Sequence, residues 1–148
     1  MLASKIRSLL SSDCWSGLDA SDLDLIICAT CTQEMTCPSV ACRISERIGS
    51  KTAAAFDLAA ACSGFLYGMN FAESLIRCGR FKNALIVGAD AMSTVMDYSD
   101  RSVSILFGDA AGSAVIARDE DPERGCIHQI MGADGVGWEA LYMPRDRK

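Results

Sequence analysis

The sequence holds a single histidine, His128, in 148 residues, and that scarcity limits which thiol chemistry the chain could complete alone. A catalytic thiolate needs a neighbour to manage its proton. His128 sits in the strand-like run Cys126-Ile127-His128-Gln129-Ile130, which suits an ordinary solvent-facing residue, so a complete Cys-His enzyme cannot be read from this chain. Long apolar runs are missing too. Residues 23–30 are interrupted by Asp24, and residues 84–89 are far shorter than the roughly 20 that span a bilayer, so no membrane partner is expected. No block of like charge stands out among 14 Lys plus Arg and 19 Asp plus Glu. That argues against a phosphate-tracking surface, and hence against nucleic acid as a partner. Residues 1–10 show neither an unbroken apolar stretch nor a cleavage signature, so no secretory leader is expected and the expected location is cytoplasmic.

Cysteine, by contrast, is plentiful, with eight residues. An even number invites a disulfide framework, but the absence of a leader and the placement of the thiols argue against one. Cys28 lies in the strand-like Leu25-Ile26-Ile27-Cys28, Cys62 opens a helical pattern and Cys78 closes it, as buried thiols scattered through a core would. The spacing Cys28-x2-Cys31 followed by Cys37-x4-Cys42 loosely resembles a four-thiolate zinc site. It leaves open a cysteine-rich metal or redox protein as an alternative of another class. Such a site would require Cys28 to leave its strand, and no metal is the expected reading.

Half of the chain is hydrophobic, enough for one globular domain over residues 1–148. Ile6, Leu9 and Leu10 recur at helical spacing, and that pattern ends near Gly17. Residues 23–29, apolar apart from Asp24, form a run suited to a strand covered on both faces. Pro38 can occupy the first turn of a helix in which Val40, Ile44 and Ile48 recur until Gly49 stops it. Residues 53–58 suit a second buried strand. A third helix starts at or beside Cys62, shows Phe65, Leu66, Met69, Ala72, Leu75 and Ile76 on one face, and stops at Gly79. Residues 84–89 read as a third strand. Residues 112–117 and 126–131, separated by a charged turn over 118–125, suit an antiparallel hairpin. The order α-β-α-β-α-β-β-β predicts an α/β fold, with a mixed, mostly parallel sheet and flanking helices.

Cys62 is the principal candidate nucleophile. A cysteine between a buried strand and a helix start lies at the carboxyl end of the sheet, where ligands approach an open α/β fold. The helix terminus carries unpaired N–H groups and partial positive charge, both of which favour thiolate over thiol. Ala59-Ala60-Ala61 and Ser63-Gly64 are small, leaving room for a substrate and for backbone N–H groups to face a carbonyl oxygen. The competing reading is a small apolar residue at a crowded strand-helix junction.

Four ordered segments change that balance. Phe56-Asp57-Leu58-Ala59-Ala60-Ala61-Cys62-Ser63-Gly64-Phe65, then Ala84-Leu85-Ile86-Val87-Gly88-Ala89-Asp90, then Asp100-Arg101, then Phe107-Gly108-Asp109-Ala110-Ala111-Gly112 closely resemble the β-ketoacyl-acyl-carrier-protein synthase III family of thiolase-like condensing enzymes. The resemblance implies the N-terminal repeat of a thiolase-like fold, without its first strand and without the C-terminal repeat. It implies that Cys62 takes an acyl group from acyl-CoA, and that the thioester is attacked by the carbanion left when malonyl-acyl-carrier-protein loses carbon dioxide. That reaction initiates fatty-acid synthesis. Acyl-CoA and acyl carrier protein are then the partners, no cofactor is needed, and the full-length protein is a homodimer.

By the same resemblance, Arg101 helps to hold the CoA moiety, and Phe107 and Met92 line the acyl pocket. Cys37 replaces an aromatic that reaches into the partner's pocket, which implies primers bulkier than acetyl. The family's condensing His and Asn fall in the half that is not here, so the isolated chain is expected to be inactive in condensation. Polyketide or alkylquinolone starter enzymes and hydroxymethylglutaryl-CoA synthase share the reactive Cys and are the alternative within the superfamily.

Overall fold

The computed structural model describes residues 17–121 and 124–144. Four strands make one sheet: β1 (Leu25–Ala29), β2 (Ala54–Leu58), β3 (Asn83–Ala91) and β4 (Asp109–Ala117). Among the described residues three α-helices accompany them: α1 (Val40–Ile48), α2 (Gly64–Arg77) and the short α3 (Arg101–Ser104). The strand order is β2-β1-β3-β4, with β1 parallel to both β2 and β3, and β4 antiparallel to β3. The α/β reading and the mostly parallel sheet hold. The helix expected before Gly17 lies outside the described residues.

Side-chain alternation explains why the two central strands read as unbroken apolar runs. Successive side chains of a strand point to opposite faces, and both faces here are covered. Ile26 and Cys28 of β1 and Leu85 and Val87 of β3 pack with Val40, Ala41 and Ile44 of α1. Leu25 and Ile27 of β1 and Ala84 and Ile86 of β3 pack with Ala72 and Ile76 of α2 on the other side. β2 departs from expectation: as an outer strand of the sheet it is half-buried or exposed along its length.

α1 starts after Ser39, whose Oγ accepts the Cys42 N–H at 3.1 Å, and ends at Gly49 in the left-handed region (φ 80°). Pro38 therefore lies before the helix rather than in its first turn, and its bond from Cys37 is cis. A second cap comes from β2. The Asp57 carboxylate accepts the Val40 and Ala41 N–H groups, one on each oxygen, at 2.8 Å. In α2 the buried stripe is Gly64, Gly68, Ala72 and Ile76, while Leu66, expected on the apolar face, is exposed. The small residues let the helix sit close to the sheet. A Cβ on Gly68 would lie 3.3 Å from Ile86 Cγ2 and 3.5 Å from Ile27 Cγ2.

The expected hairpin between residues 112–117 and 126–131 does not form. β4 begins earlier, at Asp109, and pairs with β3 over nine positions, from Asn83↔Ala117 to Ala91↔Asp109. Residues 124–132 instead follow α2 towards its start, held by polar contacts. Arg77 Nη2 donates to the Cys126 carbonyl at 3.4 Å, Gln129 Nε2 donates to the Glu73 carboxylate, and Tyr67 Oη donates to the Gly132 carbonyl. Ile127 and Ile130, which suggested a strand, are exposed. Apolar content without a partner edge made a false strand signal. His128 is thus exposed on an irregular segment, not in a strand.

The two Asp57 bonds satisfy orphan N–H groups at a helix start, where losing such a cap costs about 1–2 kcal/mol. Asp57→Ala is expected to lower the stability of the whole polypeptide by about that amount in urea denaturation, and Asp57→Asn, which keeps one acceptor, by less. Equal losses for both would show that the second bond contributes nothing.

Candidate active site at the carboxyl end of the sheet

The chain segments leaving β1, β2 and β3 at their carboxyl ends converge on one edge of the sheet. Beyond β1, the Thr30 N–H reaches the Leu58 carbonyl at 3.1 Å, which prolongs the β1–β2 pairing by one residue. Asp90, near the end of β3, gathers the next three residues. Its Oδ1 accepts Thr30 Oγ1 at 3.2 Å, the Cys31 N–H at 2.9 Å, Thr32 Oγ1 at 3.1 Å and the Cys31 thiol at 3.5 Å. Thr32 Oγ1 in turn accepts the Ala91 N–H at 2.8 Å. The exit of β1 is thereby tied to the exit of β3.

Beyond β2 the chain turns sharply into α2. Ala61 has φ 44°, a left-handed conformation that costs a non-glycine residue on the order of 1–3 kcal/mol when it is held in place. A 3-10 turn over Ala61–Ser63 follows, with the Ser63 N–H on the Ala60 carbonyl and the Gly64 N–H on the Ala61 carbonyl. Those two N–H groups are committed to the turn, so they do not face outward as the small-residue flanks suggested. Cys62 sits in this turn with its side chain exposed, immediately before the 14 residues of α2. No side chain caps α2, and the partial positive charge of the helix end falls at Cys62 and Ser63.

The other thiols differ in kind. The structure corrects the expectation that the cysteines fill the core: of the seven described, Cys28 alone is buried, Cys31 is intermediate, and Cys37, Cys42, Cys62, Cys78 and Cys126 are exposed. Burial, with the Asp57 and Asp90 charges behind it, pushes the Cys28 thiol up to about 12. Burial and then the charge of Asp90 push Cys31 up to about 11. Both stay protonated at neutral pH and are poor nucleophiles there. All seven are free, and no three His, Cys, Asp or Glu among the described residues are placed to hold a metal. The four-thiolate pattern fails on geometry, since Cys28 lies inside a strand paired on both sides.

The remaining candidates lie on the same edge of the sheet. Cys37 is exposed in the segment between β1 and α1. Met92, half-buried, opens a 3-10 turn straight after β3. Arg101 is exposed at the start of α3, and Phe107 is half-buried two residues before β4. Ser93 fastens this excursion, its N–H and Oγ each 2.8 Å from the Asp109 carboxylate. Sequence reasoning missed the organising roles of Asp57, Asp90, Ala61 and Thr32. The available signal was a carboxylate set inside or at the end of an apolar strand, in Phe56-Asp57-Leu58 and Gly88-Ala89-Asp90.

Residues 56–135 match the family 3-Oxoacyl-[acyl-carrier-protein (ACP)] synthase III. The chain belongs to this family. It is 50% identical over 126 residues to the β-ketoacyl-acyl-carrier-protein synthase III of Clostridium beijerinckii, a match that covers 85% of this chain and 38% of that protein. It is 47% identical over 127 residues to the enzyme of Geobacillus kaustophilus, covering 86% of this chain and 41% of the relative. The crystal structure of the Thermus thermophilus enzyme superposes with a TM-score of 0.84 at 33% identity, over 95% of this chain and 42% of that one. The thiolase-like fold class follows. The chain spans about two fifths of the length of these relatives.

Two outcomes follow from the packing and the thiols. A Cβ on Gly64 would meet Ala29 Cβ at 2.9 Å, and Ala29 is fixed in buried β1. Replacing a helical glycine by alanine gains about 1 kcal/mol in propensity, against about 1–3 kcal/mol for overpacking. Gly64→Ala is therefore expected to destabilise, by about 1 kcal/mol in urea denaturation; a gain would show that Ala29 moves aside. Cys28 and Cys31 lose their protons near 9 when unfolded but only near 12 and 11 when folded. Their contribution is thus intact below about pH 9 and is lost as pH rises through the folded values. Urea midpoints should hold steady up to about pH 9 and fall between about pH 9 and about pH 11, less steeply in Cys31→Ser, and a flat profile across that window would contradict the assignment.

Proposed function

We propose that the polypeptide carrying this chain is a condensing acyltransferase that initiates fatty-acid synthesis. Cys62 takes the acyl group of an acyl-CoA as a thioester, and the carbanion from malonyl-acyl-carrier-protein then attacks that thioester. The observation that carries the reading is Cys62 itself, exposed in a strained turn at the start of α2, in a chain of the synthase III family. Covalent capture divides a difficult carbon-carbon bond formation into two steps, and needs a nucleophile that returns as a leaving group. A thiolate meets both demands without a cofactor.

Arg101, Phe107, Met92 and Cys37 are assigned by the same proposal to CoA and acyl-chain binding. Their common placement on segments leaving one end of the sheet supports it. Residues 1–148 are read as the N-terminal thiolase-like repeat. The condensation step is assigned to groups outside it, since the one histidine here is exposed on an irregular segment. A homodimer in the cytoplasm, served by acyl carrier protein, completes the reading. Among the described residues no helix is long and apolar enough to cross a membrane.

Incubation of the whole polypeptide with a series of acyl-CoAs, followed by mass spectrometry of its peptides, tests the proposal. Acyl label is expected on Cys62, absent in Cys62→Ser, and at least as strong with longer or branched chains as with acetyl. Label on another cysteine would overturn the assignment. A strict acetyl preference would overturn only the role given to Cys37.

A further inference from the structure

Cys31 and Cys62 stand on two segments that the fold holds side by side. Ala29 touches the start of α2, since a Cβ on Gly64 would come within 2.9 Å of Ala29 Cβ. Cys31 follows Ala29 by two residues and Cys62 precedes Gly64 by two. The Thr30 N–H bond to the Leu58 carbonyl keeps the intervening strand ends in register. Asp90 fixes the Cys31 backbone at 2.9 Å and receives its thiol at 3.5 Å, which holds the residue at the exit of β1. Burial, the Asp90 charge and the Asp90 hydrogen bond raise the Cys31 thiol, and the charge of Cys62 adds to them.

We propose that Cys31 is the resolving thiol for Cys62: under a hydroperoxide the two join as a disulfide that shields the acyl-accepting sulfur from irreversible oxidation. The Cys62 thiolate attacks one peroxide oxygen, the O–O bond breaks, and a sulfenic acid forms as hydroxide leaves. The Cys31 sulfur, giving up its proton, then attacks the Cys62 sulfur and displaces the sulfenic oxygen as water. Two thiols lose two hydrogens and one peroxide becomes two waters. A dithiol reverses the step and leaves as its own disulfide. The high proton affinity of Cys31 makes it a slow attacking group at neutral pH and keeps the pair reduced until Cys62 is oxidised.

The inference rests on the acyl-accepting reading of Cys62 for its purpose, not for its chemistry. The whole polypeptide is treated with hydrogen peroxide, its remaining thiols are alkylated, and its peptides are sequenced by tandem mass spectrometry. In parallel, acyl-CoA labelling of Cys62 is measured before oxidation, after it, and after a dithiol. A Cys31–Cys62 link is expected, together with a fall in acyl labelling of about tenfold that the dithiol reverses. Cys31→Ser, which keeps a hydroxyl for Asp90, should lose the link and let Cys62 proceed to sulfinic acid, while Cys42→Ser should leave the link intact. Sulfinic Cys62 beside a free Cys31 in the wild-type protein would overturn the inference, and so would a link from Cys62 to any other cysteine. Acyl labelling without the link would sink the inference and leave the function standing; the link without labelling would do the reverse.

Discussion

All five residues of β1 are buried, and their side chains alternate between two cores, Leu25 and Ile27 against α2 and Ile26 and Cys28 against α1. A slip of one residue would send every one of them to the wrong face. Each buried Leu or Ile contributes about 1.5–3 kcal/mol, so the register of β1 is held by several such terms at once. Its last residue, Ala29, is therefore a fixed point. Gly64 packs directly on it, which sets where α2 begins and hence where Cys62 stands. The turn that carries Cys62 takes its position from the strand beside it more than from its own hydrogen bonds.

Two carboxylates carry that rigidity outward from the core. Asp57 leaves β2 to cap α1, and Asp90 leaves β3 to collect the three residues after β1. Each acts across elements, joining a strand end to a segment far away in sequence. A neutral side chain of similar size would supply fewer acceptors for the same donors, and unpaired buried donors cost about 1–3 kcal/mol each. Burial first, and then these charges, raise the Cys28 and Cys31 thiols, Asp57 acting on Cys28 and Asp90 on both, so the groups that brace the site also favour the thiol form there.

The parts of the fold governed by local pattern were legible in the sequence. β1, α1, α2 and β3 each have the apolar period that their two-sided or one-sided burial demands, and Gly49 marks the end of α1 as its left-handed conformation requires. The hairpin failed because apolar content does not say which edge is free: β4 took the edge of β3 across the excursion that holds Met92, Arg101 and Phe107. Leu66 failed because the stripe of α2 that faces the sheet is built from small residues, which a hydrophobicity pattern undervalues. The location of Cys62 was legible from its junction between strand and helix. The Asp90 network that holds Thr30, Cys31 and Thr32 was not, since it depends on parallel pairing between strands more than 50 residues apart.

Ala61 shows how the two levels combine. Its left-handed backbone costs on the order of 1–3 kcal/mol, which the turn's two short-range bonds, at about 0.5–1.5 kcal/mol each, match without surplus. The hold on the turn comes from both flanks: β2 in register on β1, and α2 seated on the sheet through Gly64, Gly68, Ala72 and Ile76. Loosening either flank would let Ala61 relax, and Cys62 would turn with it. A glycine at position 61 would remove the strain but also the stiffness, because its backbone reaches many conformations at little cost. An alanine held there by its flanks keeps the backbone before Cys62 in one conformation, the preorganisation that the role proposed for Cys62 would use.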